Sequence, residues 1–304
     1  MKEEKLRELI MTNCPDVMER NKYLWENSLS HKKLTMWLEN FKGKVFEQHT
    51  EADVALDLLK HFLYYSENEL RYLCKSALAM LKYEKMREDP KRYLGAQSNR
   101  LLNEYLRSCI FSYIGYLSES SSYLLYPFRQ ECDIPVSQIV EPENLSRKKI
   151  DECLSKNAAL IFLDDFCGTG QTGLNFWKSH AHDIKKNYPN IEIFYLALVA
   201  MNMGISRIRQ HTGFSMICPV VLTDEYRVFS DCSIVFSDEK RRRMAKEICE
   251  TYGKCLEGKT YACGYGNSQI LVGFHHNIPD NTLSVVWSDN KDWFPLFKRR
   301  KKRY

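Results

Sequence analysis

No stretch of this 304-residue chain comes near the roughly 18 consecutive apolar residues that a membrane helix needs, so no membrane partner is expected. The opening segment, Met1 to Met11, is charged and patterned like a helix. It lacks the apolar core and small-residue cleavage site of a secretory leader, and we read the protein as cytoplasmic. No C-x-x-C pair occurs among the eleven cysteines, whose number is odd and whose spacing is scattered. That argues against a disulfide framework and a zinc site, and for reduced, mostly buried thiols; no metal-ligating residue is assigned. Internal repeats are missing, and low complexity is confined to the basic C-terminus.

What is present is the composition of a folded protein: 44% hydrophobic residues, with many tyrosines and phenylalanines, which excludes a disordered chain. Much of the formal charge of +5 sits in the run Lys298-Arg299-Arg300-Lys301-Lys302-Arg303-Tyr304. Such a tail is usually solvated, but it can also gain from counterion release at RNA, DNA or an acidic protein, so a nucleic-acid partner is carried as an expectation for it. The second basic run, Lys240 to Arg243, fits the exposed face of a helix.

The first hundred residues read as helices. Val54, Ala55, Leu58, Leu59, Phe62 and Leu63 recur at helical spacing, as do Leu70, Leu73, Ala77, Met80 and Leu81, and Trp37, Leu38 and Phe41 form an earlier apolar stripe. Ser66 and Glu69 have the spacing of a capping box. The break at Arg87-Glu88-Asp89-Pro90 ends this run. We therefore expect a helical N-terminal region over 1–94 and a second domain over 95–304 with a C-terminal covering subdomain and the basic tail.

A helix is expected from Ser98 to Leu117 and a strand over Tyr123 to Phe128. Farther on, short apolar runs alternate with helical ones: strands at Ala158 to Leu163, Ile193 to Met201 and Met216 to Leu222, and helices at Gly173 to Tyr188 and Glu239 to Tyr252, the last stopping at Gly253. Continuous apolar runs suit strands covered on both faces, so the fold class is α/β with a largely parallel sheet.

The segment Leu160 to Thr172 carries the chemistry. A buried strand ends in Asp164 and Asp165, and Phe166 and Cys167 lead into Gly168-Thr169-Gly170-Gln171-Thr172, which opens a helix. Open α/β sheets gather ligands at the carboxyl ends of their strands, which is where these acids fall. The glycines let the backbone turn and expose its N–H groups, the threonines add hydroxyls, and the start of a helix favours an anion such as a phosphate. An isolated acid pair could equally cap a helix or coordinate magnesium. A Walker nucleotide loop is excluded, since the stretch has no lysine. Cys167 reads as a small neutral filler inside the loop, although a helix start can lower a thiol pKa.

This segment resembles the signature of type I phosphoribosyltransferases, which bind phosphoribosyl pyrophosphate (PRPP). The resemblance implies a type I phosphoribosyltransferase-like parallel sheet with flanking helices, preceded by the α-helical N-terminal region. It also implies that Asp164 and Asp165 take the ribose hydroxyls, that Gly168 to Thr172 take the 5-phosphate, and that magnesium bridges the pyrophosphate and the ribose hydroxyls. A second resemblance covers more of the chain. Trp37 to Phe41, Gly264 to Gln269, His276 to Leu283 and Trp293 to Phe297 are similar to motifs of the PRTase-CE family of bacterial conflict systems, some of whose members accompany retrons.

The resemblance implies an anti-phage effector that binds PRPP or a nucleotide, with a defence-system protein or nucleoprotein complex as partner. Three readings stay open: a transferase that moves the phosphoribosyl group to an unknown acceptor and releases pyrophosphate, a non-catalytic sensor, and a nucleic-acid or protein docking subunit. The superfamily also needs a pyrophosphate loop, for which Arg129 is the candidate, and a mobile closing loop, for which Cys132 to Lys149 is the candidate. Asn202, beyond the strand at Ile193 to Met201, is a candidate for lining the pocket. A strand is expected at Gln269 to Phe274, and His275 and His276 are read as structural.

Overall fold

The computed structural model describes residues 2–115 and 120–300. In chain order the helices and strands are α1 (Lys2–Leu24), α2 (His31–Leu38), α3 (Gln48–Lys60), β1 (Leu63–Tyr65), α4 (Glu67–Glu88), α5 (Pro90–Tyr93), α6 (Ser98–Ser108), β2 (Ile110–Tyr113), α7 (Ser120–Glu131), α8 (Arg147–Ser155), β3 (Ala159–Cys167), α9 (Gln171–Phe176), α10 (His182–Asn187), β4 (Glu192–Met201), α11 (Asn202–His211), β5 (Ser215–Ile217), β6 (Val220–Leu222), α12 (Glu239–Glu257), β7 (Val272–Phe274) and α13 (Ser284–Trp287).

These elements form two compact units, and the division is discontinuous: residues up to Asn68 and from Thr223 onward make one, Glu69–Leu222 the other. A boundary near residue 94 therefore does not separate two cores. In the first unit the N-terminal helices bury Trp25, Trp37, Phe41 and Leu59 in one core with Tyr252, Val285, Trp293 and Phe297. The two motif regions at the ends of the sequence meet directly. The Trp37 and Trp293 indoles both donate to the Val285 carbonyl, at 2.7 and 3.0 Å, and Asn40 exchanges hydrogen bonds with the Phe294 backbone at 2.8 and 2.9 Å. β1 pairs in parallel with β7, Leu63 opposite Val272, so the strand expected over Gln269 to Phe274 is confined to its last three residues.

Glu51 is the polar centre of this unit. Its fully buried carboxylate accepts the backbone N–H groups of Gly43, Val45 and Phe46 at 2.7–3.1 Å and the Tyr252 hydroxyl at 2.6 Å. A carboxylate can be buried only with such partners. Gly253 does not end α12 as expected; a Cβ there would meet the Ala262 carbonyl at 2.4 Å, so the glycine permits close packing, and the helix runs on to Glu257 before Gly258 with φ +76°.

The second unit is built on a parallel sheet of order β2-β3-β4-β5, with β6 also paired to β4. β3 and β4 are buried almost throughout, the pattern of parallel strands covered on both faces. Phe111 meets Phe128 of α7 on one face, and Phe162, one position on from the strand partner of Phe111, meets Phe176 of α9 on the other. The expected strand Met216 to Leu222 is two strands end to end on β4, because Pro219 has no N–H to continue the ladder.

Two other expectations change. The helix from Ser98 stops at Ser108, and after Cys109 the four residues Ile110–Tyr113 form β2; Tyr116 and Leu117, its expected end, lie outside the described residues. Tyr123 to Phe128 is helix, not strand: α7 carries Pro127 within it, and its apolar Leu124 and Phe128, four residues apart, point into the sheet.

Replacing Glu51 by Ala orphans three backbone donors and a hydroxyl in a dry core. We expect it to lower the unfolding free energy by about 3 kcal/mol, with Glu51→Gln costing less, as measured by urea denaturation.

Candidate functional site

β3 runs past the acid pair to Cys167, in register with β4 through Asp164 opposite Ala197 and Phe166 opposite Val199. Asp164 and Asp165 therefore sit inside the strand near its carboxyl end, and consecutive strand residues leave on opposite faces. Both are buried, at 6% and 4% exposure. Asp164 accepts the Tyr195 hydroxyl of β4 at 2.5 Å, a bond with no signal in the amino acids, since Tyr195 lies in an apolar run.

The chain then turns through Gly168 and Thr169 to Gly170, whose φ of +77° is left-handed, and enters α9 at Gln171. The loop rests on the first turn of α11. A Cβ on Gly204 would meet the Gly168 carbonyl oxygen at 2.2 Å and the Cys167 sulfur at 3.1 Å, and one on Gly170 would meet the Gly204 carbonyl at 3.0 Å. Only glycine at 204 allows this seat. The Arg207 guanidinium, farther along α11, donates to the Thr169 carbonyl at 3.4 Å. Asn202 is the exposed first residue of that same helix, so the structure brings it to the end of β4 beside the loop's support.

Thr169 is partly exposed and Thr172 exposed, while the Gln171 side chain donates to Asn175 at 2.8 Å. Backbone amides, threonine hydroxyls and the opening of a helix converge here, a combination that suits an anion. α9 passes through a π-helical turn, Trp177–Ala181, before α10. Gly168, Gly170 and Gly173 also have the spacing G-x-G-x-x-G of a dinucleotide fingerprint. The third glycine does the packing job of that motif, since a Cβ on Gly173 would strike the Tyr195 ring at 2.5 Å. The acid that the fingerprint requires at the end of the next strand is missing, for β4 ends in Val199, Ala200 and Met201 and is followed by Asn202.

Burial, and next the negative charge of Asp164, push the Cys167 thiol up to about 12, which suits a neutral side chain packed inside the loop. Arg129 lies elsewhere than beyond a strand. It occupies the last turn of α7, stacked 5.8 Å over Tyr126, at the end of a roughly 18 Å helix remote from the turn that follows β2. Residues 116–119 of that turn lie outside the described ones. The stretch Cys132 to Lys149 is held down: Val140 donates to the Phe111 carbonyl at 3.0 Å, and the Gln138 amide donates to the carbonyls of Leu106 and Cys109 at 2.6 and 2.7 Å. Those contacts fix it along β2 and do not suit a mobile cover.

Among the described residues no three histidine, cysteine, aspartate or glutamate side chains gather to hold a metal ion. His275 and His276 pack ring against ring, centroids 5.0 Å apart, in the first unit. The three arginines of the basic run in α12 pair with acids: Arg241 binds Asp53 and Asp57, Arg242 binds Asp231 and Arg243 binds Glu239. In the tail, Arg299 packs over Trp287 and pairs with Asp280 at 3.2 Å, while Lys301 to Tyr304 lie outside the described residues.

A parallel sheet flanked by helices, with an acid pair near the end of one strand and a glycine-threonine loop after it, is the arrangement of a phosphoribosyltransferase-like protein. The family model PRTase-CE matches residues 34–299, and the chain belongs to that family. The match takes in parts of both compact units. No curated protein matches the chain. No helix among the described residues is long and apolar enough to cross a membrane.

Two outcomes are expected from the geometry of the loop. A thiol reagent applied to the native protein labels Cys232 and Cys255 rapidly, since these are the exposed cysteines, and leaves Cys167 unlabelled. Gly204→Ala forces the loop off its seat, costs about 2 kcal/mol in thermal or urea unfolding, and opens Cys167 to the reagent.

Proposed function

We propose that this phosphoribosyltransferase-like protein binds PRPP, or a related ribose 5-phosphate compound, at the end of β3 and acts as an effector of a bacterial anti-phage defence system. The observation that carries the reading is the seat of Gly168 and Gly170 against Gly204, which holds a glycine-threonine turn, with Thr169 partly exposed and Thr172 exposed, directly after two buried carboxylates. Gly168 to Thr172 would take the 5-phosphate, and Asp164 and Asp165 the ribose hydroxyls. The defence setting, retron-associated in some systems, rests on family membership and on the motifs quoted above.

The chemistry is that of charge placement. Departure of pyrophosphate from C1 leaves an oxocarbenium-like sugar, which nearby carboxylates favour and which a fixed loop keeps aligned. Magnesium, when bound, neutralises the leaving pyrophosphate. With no protein cluster of three ligands among the described residues, it would arrive on the phosphate oxygens, as this hard cation does in other phosphate sites. The acids orient the ribose, and the loop amides bind the phosphate.

Calorimetric titration with PRPP and magnesium tests the reading. The wild type is expected to bind, and the double variant Asp164→Asn, Asp165→Asn to bind at least about tenfold more weakly, because charge-assisted hydrogen bonds to the sugar are lost. A folded wild type that ignores PRPP would reject the reading. Release of pyrophosphate on incubation with candidate acceptors, to which the phosphoribosyl group passes, then marks a transferase, and binding without release in the presence of any of them marks a sensor.

A further inference from the structure

Tyr195 is a polar tip inside the apolar centre of the sheet. The residue is 1% exposed, and its hydroxyl donates to Asp164 Oδ2 at 2.5 Å. The Cys167 thiol neighbours the same hydroxyl. The ring has no room to move: any Cβ at Gly173 would meet it at 2.5 Å, and Phe214 lies edge-on, centroids 5.6 Å apart. Cys167 is clamped in turn by Gly204, the residue that seats the Gly168 carbonyl. A chain of contacts thus runs from the support of the loop, through Cys167 and Tyr195, to one oxygen of Asp164.

We infer that Tyr195 is a positioning residue: by holding Asp164 Oδ2 and linking it through Cys167 to the loop, it fixes the carboxylate plane that distinguishes a ribose from a 2-deoxyribose. Anchoring one carboxylate oxygen sets the direction in which the other presents its lone pairs. A hydroxyl on the sugar then meets an acceptor of fixed aim, and preorganisation of this kind lowers the ordering cost of binding. An apolar residue of the same shape would fill the space equally well, so core packing does not explain the hydroxyl. The inference rests on the ribose 5-phosphate reading above.

The test is calorimetric binding of ribose 5-phosphate, 2-deoxyribose 5-phosphate and inorganic phosphate to the wild type, Tyr195→Phe and Cys167→Ala, with circular dichroism to establish that each is folded. The wild type is expected to prefer ribose. In Tyr195→Phe that preference falls about tenfold, the equivalent of one charge-assisted hydrogen bond, while binding of inorganic phosphate is kept. Cys167→Ala, which removes the thiol beside the hydroxyl and loosens its link to the loop, lowers the preference about threefold and carries the test if the tyrosine variant does not fold. Variants that keep the wild-type preference overturn the inference and leave the ribose site standing. A wild type that binds neither sugar phosphate, or binds both equally, overturns the ribose reading itself and the role of Tyr195 with it.

Discussion

The Gly168 carbonyl occupies the space that any side chain at position 204 would need. This backbone-to-backbone contact joins the loop after β3 to the helix after β4, and the rest of the candidate site is arranged around it. It requires glycine at 204, favours glycine at 170, where φ is left-handed, and aligns the start of α9 with the ends of the central strands. Thr169 is held by Arg207 from the same helix. On the proposed reading, rigid strands supply the acids and a loop seated on α11 supplies the amides, so little conformational entropy would remain to be lost on binding an anion.

The first unit solves a different problem. Helices from the start of the chain and segments from its end close one core, knit by two indoles on a single carbonyl, by Asn40 on the Phe294 backbone and by the buried Glu51 carboxylate. Buried polar groups of this kind are tolerated only when fully paired, and they fix one arrangement of the surrounding helices. The distant motifs Trp37 to Phe41 and Trp293 to Phe297 are explained by that contact, so they belong to the fold of this unit and need no ligand to account for them.

How much of this could be read from the amino acids follows from the physics of each element. β3 and β4 announce themselves because strands covered on both faces are continuous apolar runs, and the acid pair and glycine loop stand out because they interrupt such a run. β2 is four residues long with no punctuation before it, so it merges into the preceding helix pattern. Tyr-Pro-Phe in α7 suggests a strand to local propensity, but burial of Leu124 and Phe128 against the sheet prevails over the proline. The discontinuous unit was out of reach because its contacts join residues more than two hundred positions apart. Within the site, Asp164, Asp165 and the loop from Gly168 to Thr172 were legible as a group. Tyr195, Gly204 and Arg207 were not, since their roles arise from packing between helix and strand. Arg129 drew attention through a strand that does not exist.

Hydrogen exchange of the backbone amides from Gly168 to Thr172, followed with and without PRPP and magnesium, tests the central claim most directly. If this loop is the phosphate seat, these amides become protected on addition of ligand and do so far less in the variant carrying both Asp164→Asn and Asp165→Asn. Protection that appears elsewhere in the chain while these amides exchange as before would contradict the account.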